Sequence, residues 1–147
     1  MILKLSQITI INMYIDFKKY PFVITNVKFN EDKNKIYDDC YQEFIIETDG
    51  NKNFKFIAIG DCCSYSVFKV WEDYDFNKLI GRVIVSMKAS KFPDDFEPEG
   101  EDDDDYYASY HLYEMKFVDS DEVFKFMLIN YSNGYYDGWI NAEIVNK

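Results

Sequence analysis

Two runs of strand-favouring residues, 41–48 and 53–59, flank Asp49-Gly50-Asn51-Lys52, and that spacing leaves the chain few ways to fold. Asp-Gly between such runs is a strong signal for a tight antiparallel hairpin. Side chains alternate along a strand, so Phe54, Phe56 and Ala58 share one face while Lys55 points to the other. Further runs at 2–11, 21–29, 79–87, 106–118, 123–131 and 139–145 are apolar, aromatic or β-branched and are bounded by polar turns. Pro21 is tolerated because it opens its run. The run 123–131 is the most hydrophobic. With 13 Tyr and 13 Phe, the chain carries large side chains suited to burial between strands.

One stretch departs from this pattern. Gly60-Asp61 ends the run 53–59, and Asp61 is a good helix N-cap. Cys63, Val67, Val70 and Trp71 then recur at helical spacing and predict an amphipathic helix of roughly three turns. Glu72, Asp73 and Asp75 would sit at its C-terminal end, where acids oppose the helix dipole. The expected fold class is therefore α+β, a mainly antiparallel sheet of about seven strands with one substantial helix packed on it. A length of 147 residues fits a single domain, 1–147, large enough to need no disulfide or metal staple.

The net charge of −11 is concentrated. Nine acids lie between Asp94 and Asp105, and without them the remainder carries only −2. Residues 89–105, with Pro93, Pro98 and Gly100, predict a mobile, solvated acidic loop. The cations are 15 Lys and Arg82, without a basic cluster, so direct nucleic-acid binding is not expected.

Cys40, Cys62 and Cys63 are too few and too oddly spaced for a disulfide framework, and reduced cytosolic thiols are the simpler reading. The apolar N-terminal stretch is interrupted by Lys4, Gln7, Asn12 and Asp16, so neither a membrane span nor a signal peptide is expected. Cys40, Cys62, Cys63 and His111 lack the paired spacing of zinc sites, and the acidic stretch lacks the ligand order of a calcium loop. No metal and no cofactor is expected.

Two segments stand out as candidate sites. In Gly60-Asp61-Cys62-Cys63-Ser64, a thiol in a first helical turn would be activated by free amides and the dipole. Cys63, with Asp61 and the lone His111, is the candidate catalytic set; the plainer alternative is a cap with a buried, idle sulfur. In the second segment, 131–139, Asn133-Gly134 and Asp137-Gly138 supply the positive φ angles of tight turns. Tyr131, Asn133, Tyr135, Tyr136 and Trp139 form a candidate aromatic binding surface, or else a rigid hairpin that covers the core.

Gly60-Asp61-Cys62-Cys63-Ser64, Trp71, Leu79-Ile80-Gly81, and Ser132-Asn133-Gly134-Tyr135-Tyr136 with Gly138 together resemble a family of small uncharacterised proteins of bacteriophages and large DNA viruses. The resemblance spans roughly 40–145, leaves out the N-terminal segment and the acidic loop, and implies a viral context without an activity. The reading that follows is a non-enzymatic viral accessory domain that binds a protein, in the host cytoplasm or the virion. Its rivals are a cysteine-dependent enzyme using Cys63 with Asp61 and His111, and an acidic decoy for basic proteins carried by 94–105.

Overall fold

The computed structural model describes residues 3–5, 11–12, 15–32, 41–61, 64–72, 74–97, 107–132 and 137–147. Its strands are β1 (Leu3–Leu5), β2 (Ile11–Asn12), β3 (Ile24–Asp32), β4 (Tyr41–Thr48), β5 (Lys52–Gly60), β6 (Tyr65–Val70), β7 (Ile84–Ser90), β8 (Tyr107–Phe117), β9 (Val123–Ser132) and β10 (Gly138–Asn146). Two short 3-10 turns, Phe17–Lys19 and Phe76–Leu79, are the only helical elements among the described residues.

The strands form two sheets. One runs β6-β9-β8, with β7 and β1 both alongside β8; the other runs β2-β10-β5-β4-β3. The eight longer strands pair antiparallel. The two short N-terminal strands add in parallel, β1 to β8 and β2 to β10, so the predicted strand 2–11 is divided between the sheets. The sheets pack face to face. Phe44, Phe54, Phe56 and Ile140 of one sheet meet Phe68, Tyr113, Met115, Phe124, Phe126 and Leu128 of the other in one core. Full burial of an aromatic or aliphatic side chain contributes ~1.5–3 kcal/mol, which makes this interior the main stabilising element.

The predicted hairpin is present, with Phe44 opposite Phe56 and Ile46 opposite Phe54. Phe54, Phe56 and Ala58 all face the core, and Lys55 reaches Glu43 on the outer side at 3.1 Å.

The predicted helix is not. Residues 65–70 are β6, and the molecule is a β-sandwich rather than an α+β fold. The apolar spacing of Val67, Val70 and Trp71 is compatible with both structures. What decides is that Ser66 and Phe68 are buried on one side and Val67 packs on the other, the alternation of a strand. Its partner β9 lies about sixty residues along the chain, beyond the reach of local periodicity. Asp61 closes a backbone turn, its carbonyl accepting from the Ser64 amide at 3.0 Å and the Ser64 hydroxyl at 2.6 Å. Glu72 takes a left-handed φ of 50° that turns the chain out of β6, and Asp75 caps the second 3-10 turn by accepting from Asn77 N at 2.9 Å.

The sheet containing β9 is buried on its outer face too. Trp71, Ala108, Tyr110, Leu112, Met127 and Ile129 form a second cluster there, and Phe92 and Phe96 pack onto it. Those two rings stack on each other at 4.4 Å and lie 6.0 and 5.3 Å from Trp71. Of the stretch 89–105, Ala89 and Ser90 thus belong to β7, Phe92 and Phe96 are pinned to the sheet, and 98–105 lies outside the described residues. Burial on both faces accounts for the nearly continuous apolar run of β9.

Candidate functional site

Two features are candidates: a buried polar network at one end of the interior and a groove on the outside.

The network grows from strand parity. Ser109 and His111 on β8, Asn130 on β9 and Ser66 on β6 point into the sandwich on the same face as the aromatic core, but at its far end. Asp137, at the entrance to β10, joins them. Its Oδ1 lies 2.8 Å from His111 Nε2 and accepts from Ser109 Oγ at 2.6 Å and Gly138 N at 2.8 Å. Burial works to raise the Asp137 pKa, but it is outweighed by the hydrogen bonds from His111 and Ser109, the charge of His111 and the Gly138 amide. The carboxyl is held down at about 2. An ionised carboxylate only accepts, so His111 Nε2 is the donor.

On the other side, Asn130 Nδ2 donates to Ser66 Oγ at 2.9 Å, Ser64 Oγ at 3.1 Å and Tyr65 O at 3.3 Å. Three acceptors on that side orient the amide. His111 Nδ1, Asn130 Oδ1 and the Tyr113 hydroxyl are buried without a hydrogen-bond partner. Burial first, then the Asp137 charge, pushes the Tyr113 phenol well above its usual range. His111, Asn130 and Tyr113 are all 2% exposed or less, so their side of the network is closed to solvent, while Asp137 is partly open.

Gly138 has no positive φ, contrary to the tight-turn expectation. It is required because a Cβ there would stand 2.0 Å from Ser66 Oγ and 2.6 Å from the Ile59 carbonyl.

The network predicts an acid-sensitive stability. Because the folded-state pKa of Asp137 lies below the ordinary 3.8, its contribution is complete above that value and is lost as pH falls toward about 2. With the group partly open to solvent, the loss is ~1–2 kcal/mol. Urea unfolding at about pH 5 and about pH 2.5 should show this drop in the wild type and a clearly smaller one in Asp137→Asn.

The groove lies outside the second cluster. It holds about 600 Å³ and is lined by Val67, Trp71, Phe96, Tyr110, Met127 and Tyr131, among others, with Glu72, Glu97 and Lys69 at its edges. Tyr131 stacks on Tyr65 across β9 and β6, ring centroids 5.1 Å apart.

Among the sequence candidates, Asp61 and His111 are not bonded to each other in this arrangement, but both meet Asp137: the Asp61 amide donates to the Asp137 carbonyl at 3.0 Å and His111 to its carboxylate. Cys40, Cys62 and Cys63 lie outside the described residues, as do Asn133, Tyr135 and Tyr136. Tyr131 lines the groove, and Trp139 sits half-buried on β10, beside the fully buried Ile140. Sequence reasoning missed Asp137, Ser109 and Asn130. The available signal was polar residues at the apolar parity of hydrophobic strands, as with His111 and Asn130. No group of three or more His, Cys, Asp or Glu suited to a metal occurs among the described residues, and none of their helices is long and apolar enough to cross a membrane.

Uncharacterized protein L278 of Acanthamoeba polyphaga mimivirus is 34% identical over 120 residues, 82% of this chain and 86% of that protein. This chain belongs to the L278 family. The family thus has a viral member, in line with the expected viral context. No protein-family model matches the L278-like chain, and no solved structure matches it.

Proposed function

We propose that this member of the L278 family is a virus-type accessory protein that works by binding another protein, without catalysis, in the host cytoplasm. The observation that carries this reading is the groove: an open, aromatic-lined depression of about 600 Å³ beside an edge strand. Tyr and Trp make effective contact residues because they bury large, rigid surfaces with little loss of conformational freedom. Tyr131 belongs to both the groove and the aromatic segment 131–139, which makes it the residue on which this reading is tested.

The test is capture by the immobilised chain from infected-cell lysate. Tyr131→Ala should cut recovery of the bound protein at least ~10-fold, the usual size of a contact hot spot, while the far-ultraviolet circular dichroism stays unchanged. Undiminished capture would move the surface elsewhere.

A second reading, the cysteine-dependent enzyme, is favoured by one observation: Asp137 binds both the Asp61 amide, beside Cys62 and Cys63 in sequence, and the His111 imidazole. Iodoacetamide labelling of Cys63 as a function of pH separates the two readings. Rapid labelling near neutral pH that slows at least ~10-fold in His111→Gln supports the enzyme, and labelling with an ordinary thiol profile, unchanged by that substitution, removes it.

A further inference from the structure

We propose that the occupant of the groove is an extended, lysine- or arginine-rich segment that adds as a strand alongside β6; this rests on the protein-binding reading above. Three observations converge on it.

The first is the edge itself. Among the described residues, β6 ends its sheet and is paired on one side only, with β9. Just past the strand, Trp71 N donates to Lys125 O of β9 at 3.1 Å. Odd positions therefore bond β9, and the backbone groups of Phe68 and Val70 are directed to the other side. There, Phe68 N donates to the side chain of Gln42, Oε1 at 2.8 Å, where a neighbouring strand would have offered a carbonyl. Gln42 is in turn held by Glu31, whose Oε1 accepts from Nε2 at 2.9 Å. A side-chain plug of this kind satisfies an edge amide until a strand replaces it.

The second is the shape around that edge. The groove of about 600 Å³ lies on the outer side, and a second depression of about 480 Å³, formed with Phe29, Tyr74 and Phe76, lies on the inner side. Phe68 and Val70 line both. An added strand sends successive side chains to opposite faces, so it would place alternate residues in the two depressions.

The third is charge. Among the described residues that line the two depressions, exposed Glu72, Asp75 and Glu97 stand against one cation, Lys69. Asp94 and Asp95 lie exposed on the covering segment, and the sequence continues through five consecutive acids, 101–105. A second copy would bring another net charge of −11 to this rim, which disfavours self-association and selects a basic partner. The exposed acids of this rim would thus steer a cationic segment into a shaped site.

The test uses the full chain and a fluorescent peptide of about eight residues alternating valine and lysine, followed by anisotropy. Binding should weaken at least ~10-fold between about 0.05 and 0.3 M salt. It should fall at least ~10-fold in the double variant Glu72→Lys, Glu97→Lys, and vanish when alternate peptide nitrogens are methylated. Equal binding of a valine–glutamate peptide, of oligolysine without valine, or of the methylated peptide would overturn the proposal, as would sedimentation showing a dimer that the peptide does not disrupt. If the valine–lysine peptide fails while Tyr131→Ala still abolishes capture, the basic strand is wrong and the groove reading stands. If capture survives Tyr131→Ala, the groove reading itself falls.

Discussion

Phe44→Ala is expected to cost ~3–5 kcal/mol of folding stability. Phe44 is fully buried on β4. It stacks on Phe56 of the neighbouring strand at 4.7 Å and meets Phe68, Phe76 and Phe126 at 4.9, 5.0 and 5.6 Å. Those partners belong to β5, β6, the second 3-10 turn and β9, so one ring joins both sheets and the segment between them. Truncation leaves a void that rigid neighbouring rings cannot fill, and the lining atoms lose their contacts outright. Against a typical total of ~5–15 kcal/mol, the variant should unfold about 10 °C lower or more. Phe44→Leu, which keeps most of the volume, should lose less than half as much. A melting temperature within a few degrees of wild type for Phe44→Ala would mean that the two sheets do not share this core.

Gly138→Ala is expected to be nearly as damaging, at ~3 kcal/mol or more, although it adds only a methyl group. The added carbon would overlap Ser66 Oγ at 2.0 Å, the Ile59 carbonyl at 2.6 Å and Asn130 Nδ2 at 2.9 Å. Ile59 is backbone in the strand paired with β10 and has little room to retreat. Displacing Ser66 breaks its bond to Ile59 O and its acceptance from Asn130, leaving further buried polar atoms unpaired. The physical cause is space and not dihedral strain, which gives the prediction a distinguishing arm. Ser66→Gly destabilises by itself, but in combination with Gly138→Ala it should recover at least ~1 kcal/mol relative to additivity in urea unfolding. Strict additivity would place the cost in the backbone.

The buried network and the groove make different demands on the fold. The three unpartnered atoms of His111, Asn130 and Tyr113 lie between packed sheets, where each would cost ~1–3 kcal/mol if left dry. That cost is borne at the end of the sandwich where β5 hands over to β6 and where Asp137 ties His111, Ser109 and the Asp61 amide together. The network therefore fixes the direction in which β6 leaves that corner, and β6 carries the edge on which the proposed partner would sit.

The amino-acid sequence alone determined the hairpin and most of the longer strands, because those signals are local, although the run read as 79–87 begins as a 3-10 turn and becomes strand only from Ile84. Asp49-Gly50 turns the chain within four residues, and the alternation of Phe54, Phe56 and Ala58 names the buried face without reference to any distant segment. The candidate site was legible only in pieces: His111 and Tyr131 were visible as residue types, but their settings were not. Only the tertiary structure decided that 65–70 is a strand, since its short apolar pattern is compatible with either structure and the β9 backbone that arbitrates is far along the chain. It also decided that Phe92 and Phe96 leave the acidic stretch to cover Trp71, and that Asp137 is a hub rather than a turn residue. Hydrogen bonds and ring contacts between distant segments require the sheets to be assembled first, and no window of local sequence contains both partners.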